Sequence, residues 1–211
     1  VFAILNPRTS LTLSKYQTAC GVSDMLAHAM ERYFTTEENC EAMDYMLEGL
    51  MRNILKYGRR VMIYPNDIHV RSELMLSAMW AHNSMLSMGR GSEWVSHYLE
   101  HELSAFHDIA HGAGLAIVFP AWMKFVYKRH PKRFVRFFKE VFELSLNETD
   151  DDTYILKGIT ELENFYRSLG LPIRLNEIGI NERLIEQYVK GYLIHKPKEI
   201  MGEIQVIDEF E

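Results

Sequence analysis

Four of the nine histidines fall within fifteen positions, in the stretch SHYLEHELSAFHDIAHG at 96–112. Imidazole side chains ligate metals, relay protons or simply fill hydrogen-bonded pockets, and their spacing separates these uses. On a helix over 94–108, His97 and His101 stand at i, i+4 and share one stripe with Ser104 and Asp108. Trp94, Val95, Tyr98, Leu99, Leu103, Ala105 and Phe106 make a broad apolar face beside that stripe, expected to enter the core. His107 points well away and has no assigned role. His111 lies fourteen positions after His97, about 21 Å along an unbroken helix. Two ligands of one ion must each come within about 2.0–2.2 Å of it, so His97 and His111 can share one only if the chain turns between them. Residues 108–114, with Gly112 and Gly114, are a credible place for that turn.

A second pair lies in GVSDMLAHAMERY (21–33). Asp24 and His28 are again at i, i+4, on a face with Glu31, opposite the apolar stripe of Val22, Leu26, Ala29, Met30 and Tyr33. Either this is a solvated face bearing an Asp–His pair, or it lines a cleft. Taken together the two pairs make one carboxylate and several imidazoles. That donor set suits iron(II) or zinc(II) rather than calcium or magnesium, which favour oxygen. Should His111 open a helix, the positive end of the dipole favours its neutral, ligating form. From spacing alone the alternative stays open: surface histidines plus one buried, hydrogen-bonded ring.

The elements that must position these groups read as almost entirely helical. Ser14 is a suitable N-cap for a helix reaching Phe34. Further helices are expected over 38–58, ending near Gly58, from after Asp67 to Met88, from near Ser92, over 112–129, over 131–145 and over 153–169, the last closed by Gly170 and Pro172. A short helix is expected after Asn181, and the tail beyond Pro197 has no clear pattern. VFAIL (1–5) resembles the end of a strand. No strand–GxGxxG–helix unit is present, and Gly89-x-Gly91 and Gly112-x-Gly114 are weak nucleotide signals.

Composition narrows the function classes. With 211 residues the chain can bury a substantial core. The formal net charge of −6 without a basic run argues against a general nucleic-acid or anionic-membrane surface. The longest apolar run, GAGLAIVFPAWMKFVY (112–127), is too short for a membrane span and holds Pro120 and Lys124, so a buried, kinked helix is expected. Cys20 and Cys40, the two cysteines, read as reduced core thiols of a cytoplasmic protein. No signal peptide is recognisable at the start.

The stretches LTLSKYQTACGVSDMLAHAMERYF (11–34), NDIHVRSELMLSAMWAHNSMLSMGRGSEWVSHYLEHELSAFHDIAHGAGLAIVFPAWMKFVY (66–127) and, more loosely, ITELENFYRSLGLPIRLNEIGI (159–180) resemble the iron-containing alcohol dehydrogenase family, in its butanol-dehydrogenase-like branch. The resemblance implies an all-α fold, the multi-helix C-terminal domain of the iron-dehydrogenase and dehydroquinate-synthase-like fold, spanning 1–211. It implies that Asp24, His28, His97 and His111 ligate one divalent metal, iron(II) first and zinc(II) as the alternative. His101 then lies beside the metal, near substrate and nicotinamide, as the catalytic proton relay. The metal polarises an alcohol or carbonyl oxygen for hydride transfer to or from NAD(P). The substrate is a small alcohol or aldehyde, and a homodimer is left open.

Two departures shape this expectation. The family's N-terminal dinucleotide-binding α/β domain has no counterpart here, and residues 1–6 read as its last trace. NAD(P) is therefore expected to be held through that other domain, with no cofactor-binding residue assigned on this chain, and the 211 residues alone should bind metal with little or no turnover. In addition, 196–211 do not follow the regular helical ending of the branch. Two other readings remain: a non-catalytic metal-binding or interaction module derived from the family, and a metal-dependent hydrolase. The hydrolase ranks last because no HExxH motif sets a general-base carboxylate beside the histidine pair.

Overall fold

The computed structural model describes residues 2–146 and 150–180. Seven α-helices are present among them: α1 (Lys15–Tyr33), α2 (Glu41–Ile63), α3 (Ile68–His82), α4 (Val95–His107), α5 (His111–Val126), α6 (Pro131–Val141) and α7 (Asp151–Ser168). The described residues include no strand. Residues 2–5, expected to resemble a strand end, have no regular structure and are exposed. The expected helix after Asn181 and the tail from 196 lie outside the described residues.

Local chemistry sets several helix starts. The Ser14 hydroxyl accepts the Gln17 N–H at 3.1 Å and opens α1. Asp67 accepts the His69 N–H at 2.9 Å for α3, and Asp150 accepts the Thr153 N–H at 2.8 Å for α7. Each satisfies an N–H that the first helical turn leaves without a partner. α3 stops at His82 instead of Met88, because Asn83 caps both ways. Its amide donates to the Met79 carbonyl and its oxygen accepts the Met85 N–H, each at 2.9 Å, and a 3-10 turn over Ser84–Ser87 follows. α2 passes Gly58 and runs to Ile63. There the glycine marks a crossing rather than an end: a β-carbon at 58 would stand 2.6 Å from Val22 and 3.3 Å from Phe165. α5 runs on through Pro120, which is buried within it.

α1 is the centre of the molecule. It packs on α2, α3 and α5, while α4 lies on α5, and α6 joins α2 and α7. Its expected two-faced character is only half right. Glu31, placed on a polar face from sequence, is fully buried along with the apolar stripe. Towards the C-terminal end of α1 the core is aromatic, with Phe34 stacked on Phe134 at 4.6 Å and meeting Trp122 at 5.4 Å. Both cysteines are free thiols, but only Cys20 is a core residue. Cys40 is half-buried and donates to the Gly89 carbonyl at 2.8 Å. No helix among the described residues is long and apolar enough to cross a membrane.

Candidate metal centre

Asp24 and His28 stand one turn apart on α1, both half-buried. The Asp24 Oδ1 atom is the meeting point of three imidazoles. His28 Nε2 is 3.6 Å from it, His111 Nε2 3.5 Å and His97 Nε2 3.9 Å. The required turn between the last two exists. α4 ends at His107, Asp108 takes a left-handed conformation (φ 52°), and α5 begins at His111. The His97 and His111 rings thereby come to a centroid separation of 5.3 Å.

Glycine makes this approach sterically feasible. A β-carbon on residue 112 would run into the Cys20 carbonyl of α1, and one on residue 114 into the Glu100 carboxylate of α4. The GAG of α5, a weak nucleotide signal in the sequence, is a contact surface that draws α1, α4 and α5 around one point.

Two buried carboxylates aim the rings. Glu31 on α1 accepts the backbone N–H of Trp94 at 2.7 Å and of His97 at 3.3 Å, so it caps α4. Its Oε1 also meets His97 Nδ1 at 2.8 Å. Glu100 contacts His111 Nδ1 and accepts the Ser104 hydroxyl. A carboxyl oxygen that accepts from Nδ1, which Glu31 offers in its protonated form too, fixes the ring proton there and leaves Nε2 with its lone pair facing inward, the arrangement that supports metal-ligating histidines. His28 lacks such support. Its Nδ1 faces the Arg32 guanidinium at 3.4 Å, and that group donates to the His28 carbonyl at 2.7 Å.

Electrostatics follow from burial. Desolvation and the neighbouring His97 push His28 down to about 3, and desolvation with His111 pushes His97 down to about 4. Both rings are thus neutral near pH 7, the form that ligates. Burial works to raise the Asp24 carboxyl, but the His82 hydrogen bond, together with the charges of His111 and His82, outweighs it and holds it below its usual range. Burial pushes the Glu31 carboxyl up to about 8. His111 departs from the dipole expectation. Burial lowers it, yet the Glu100 hydrogen bond and charge prevail and raise it, so a ligand on Nε2 competes with a proton.

The donor set fits a divalent ion on an observation of its own. Asp24 Oδ1 and His97 Nε2 are both buried without a hydrogen-bond partner, which costs free energy unless something charged or polar lies between them. The donor atoms of Asp24, His97 and His111 also lie within 4.8 Å of one another.

His101 is exposed, its ring 5.3 Å from that of His111 and 6.0 Å from Tyr98. It therefore borders the cluster without facing Asp24 Oδ1. His107 is half-buried and does not belong to the cluster. Sequence reasoning missed three members. Glu31 shared the Asp24–His28 stripe, which was a usable signal. Glu100 stands between two histidines with no pattern of its own. His82 ends α3, and its Nε2 lies 3.1 Å from Asp24 Oδ2, with no ligand-type residue at helical spacing to mark it.

Comparison with known proteins accords with this architecture. Residues 18–200 match the sequence model described as the Fe-containing alcohol dehydrogenase family, C-terminal. The chain belongs to that family, and the fold is that family's all-α C-terminal domain. NADH-dependent butanol dehydrogenase A of Clostridium acetobutylicum is 35% identical over 190 residues, covering 90% of this chain and 49% of the relative. NADPH-dependent aldehyde reductase YqhD of Escherichia coli is 33% identical over 193 residues, covering 90% and 49%. Among solved structures, NADH-dependent butanol dehydrogenase A of Thermotoga maritima superposes with a TM-score of 0.89 at 39% identity, covering 96% of this chain and 52% of that one. The chain spans about half the length of the curated relatives it matches.

Proposed function

We propose that this chain is the catalytic-metal domain of an NAD(P)-dependent alcohol dehydrogenase or aldehyde reductase, with Asp24, His28, His97 and His111 holding one iron(II) or zinc(II). The observation that carries the reading is the convergence of three imidazole Nε2 atoms on the orphaned Asp24 Oδ1, at 3.5, 3.6 and 3.9 Å. When bound, such an ion supplies Lewis acidity towards an alcohol or carbonyl oxygen.

The chain's own residues have separable tasks. Asp24 brings the carboxylate that the Nε2 atoms of His28, His97 and His111 face. His28 and His97 remain neutral because they are buried, and Glu31 and Glu100 keep His97 and His111 from rotating away. His101, exposed at the border of the cluster, is placed to pass the substrate hydroxyl proton to solvent, which an imidazole does well near neutral pH. The nicotinamide cofactor is bound mainly by a further domain, as about half of each relative lies beyond this alignment. Glu31 and Glu100 meet their rings at Nδ1, on the supporting side, and so are poorly placed to activate a water as a hydrolase base.

Metal analysis of the purified chain tests the reading. About one ion per chain is expected, lost in both Asp24→Ala and His97→Ala. Retention by either variant removes that residue from the site, and an ion-free wild type after reconstitution overturns it.

A further inference from the structure

Trp94 stands where a helix start ordinarily has a small or capping residue. Its backbone is left-handed, at φ 61° and ψ −6°, and its side chain makes no capping hydrogen bond for α4. Serine, threonine, asparagine, aspartate or glycine suits that place, and a bulky side chain at positive φ is strained. The surroundings enforce the conformation. Glu31 Oε2 accepts the Trp94 N–H at 2.7 Å, the Glu31 carbonyl accepts the Glu93 N–H at 2.9 Å, and the Trp94 carbonyl accepts the Tyr98 N–H at 3.2 Å. Strain that its neighbours over-determine gathers at functional sites, and the indole shows what is gained here.

That indole stands half-buried against two rings of the metal centre. It meets His28 of α1 at a centroid separation of 5.4 Å and His97 of α4 at 5.2 Å, with interplanar angles of 74° and 69°. Both are edge-to-face contacts within the separations that aromatic pairs favour. His28 and His97 also meet each other edge to face at 4.5 Å, so the three rings form one cluster. The buried Arg32 guanidinium lies over the indole at 5.0 Å and donates to the His28 carbonyl at 2.7 Å, fixing the indole against α1.

We propose that Trp94 is a positioning residue of the metal centre: its indole, held by the left-handed turn, keeps the His28 and His97 rings directed at Asp24. The inference rests on the metal-centre reading above and adds an aromatic wedge to its carboxylate supports. The wedge matters most for His28, whose Nδ1 faces Arg32 instead of a carboxylate. A ring already held in place loses less freedom when it binds an ion, so the wedge raises affinity without donating an atom.

Cobalt(II) is the probe, titrated into the full chain and into Trp94→Gly and Trp94→Phe. Glycine accepts positive φ without strain, so Trp94→Gly deletes the indole while relieving the backbone, and urea unfolding without metal checks that the variant folds. Should it not fold, Trp94→Leu, which fills space without a ring, takes its place. Under the proposal the ringless variant binds cobalt(II) about 10- to 100-fold more weakly, the range for losing an outer support of a metal site. Its cobalt(II) visible absorption also shifts, because two donor rings take up altered geometry. Trp94→Phe keeps an edge-to-face partner and returns affinity and spectrum most of the way to wild type. Wild-type affinity and spectrum in the ringless variant mean that the indole only fills space, and overturn the proposal. A Trp94→Phe as weak as the ringless variant overturns it as well, because an aromatic ring at 94 then does not position the ligands. Failure of the wild type to take up cobalt(II) overturns the metal centre itself, a result distinct from the other two.

Discussion

Glu31 does two jobs with one carboxylate. It closes the N-terminal turn of α4 through the Trp94 and His97 N–H groups, and it holds His97 Nδ1. Glu31→Ala therefore should act on two observables at once. The metal-free chain should lose about 1–3 kcal/mol of stability, since buried N–H groups are left without acceptors. Metal affinity should fall about 10- to 100-fold, since the His97 ring is freed. Urea unfolding without metal and a metal titration measure the two separately, and a variant with unchanged apo stability refutes the capping role. Spacing marked Asp24–His28 and His97–His101 as i, i+4 pairs that share a direction, while the set of Asp24, His28, His97 and His111 came from the family resemblance. The supports were less legible: Glu31 is 66 positions from His97, and only packing reveals which buried acid meets which ring. His82 was illegible for the same reason, its partner Asp24 lying 58 positions away on another helix.

At the scale of elements, the site exists because α5 lies unusually close to α1 and α4. Gly114→Ala should force Glu100 aside, because the added β-carbon would occupy the space of its carboxylate. Glu100 holds His111, so the displacement reaches the ligand set. The expected outcome is a stability loss of about 1–3 kcal/mol, typical of overpacking, together with weakened metal binding. Thermal melts with and without metal provide the check: a wild-type shift on metal addition would show that the α4–α5 contact tolerates the methyl. Helix order was legible from caps and apolar periodicity, and most boundaries came within a few residues. The orientation of α4 was not. Ala105 and Phe106, expected in the core, are exposed, whereas Ser96, His97, Glu100 and Glu102 are buried. Apolar periodicity finds the face that leaves water for hydrocarbon, and here a helix turns polar groups inward towards hydrogen-bond and ligand partners.

Over the whole molecule, the polar cluster has a counterweight just beyond it, at the C-terminal end of α1. Arg133 of α6 donates to the Tyr33 carbonyl at 2.8 and 2.6 Å and grips Asp44 of α2 with two N–H groups at 2.7 and 2.5 Å. Arg90 donates to the same carboxylate at 2.7 Å. One buried acid thus ties α1, α2, α6 and the segment leading into α4, so the C-terminal end of the central helix is fixed without any metal. Burial works to raise the Asp44 carboxyl, but the Arg133 and Arg90 guanidinium groups overcome it and hold it below the usual carboxylate range. A carboxyl lower in the folded than in the unfolded state stabilises the fold above its unfolded value of about 3.9. That contribution disappears as pH falls through the lower, folded value. Asp44→Asn should accordingly cost about 3–5 kcal/mol at pH 7, where it strands buried guanidinium charge. The gap to wild type should narrow steadily below about pH 4, because only the wild type has a carboxylate there to lose. Urea unfolding of both proteins at pH 7 and at successively lower pH measures it, in the metal-free state so that ligand protonation at the Asp24 cluster does not enter through metal loss. A gap that stays constant down to pH 2 would mean that Asp44 is not the group whose ionisation holds this end of the bundle together.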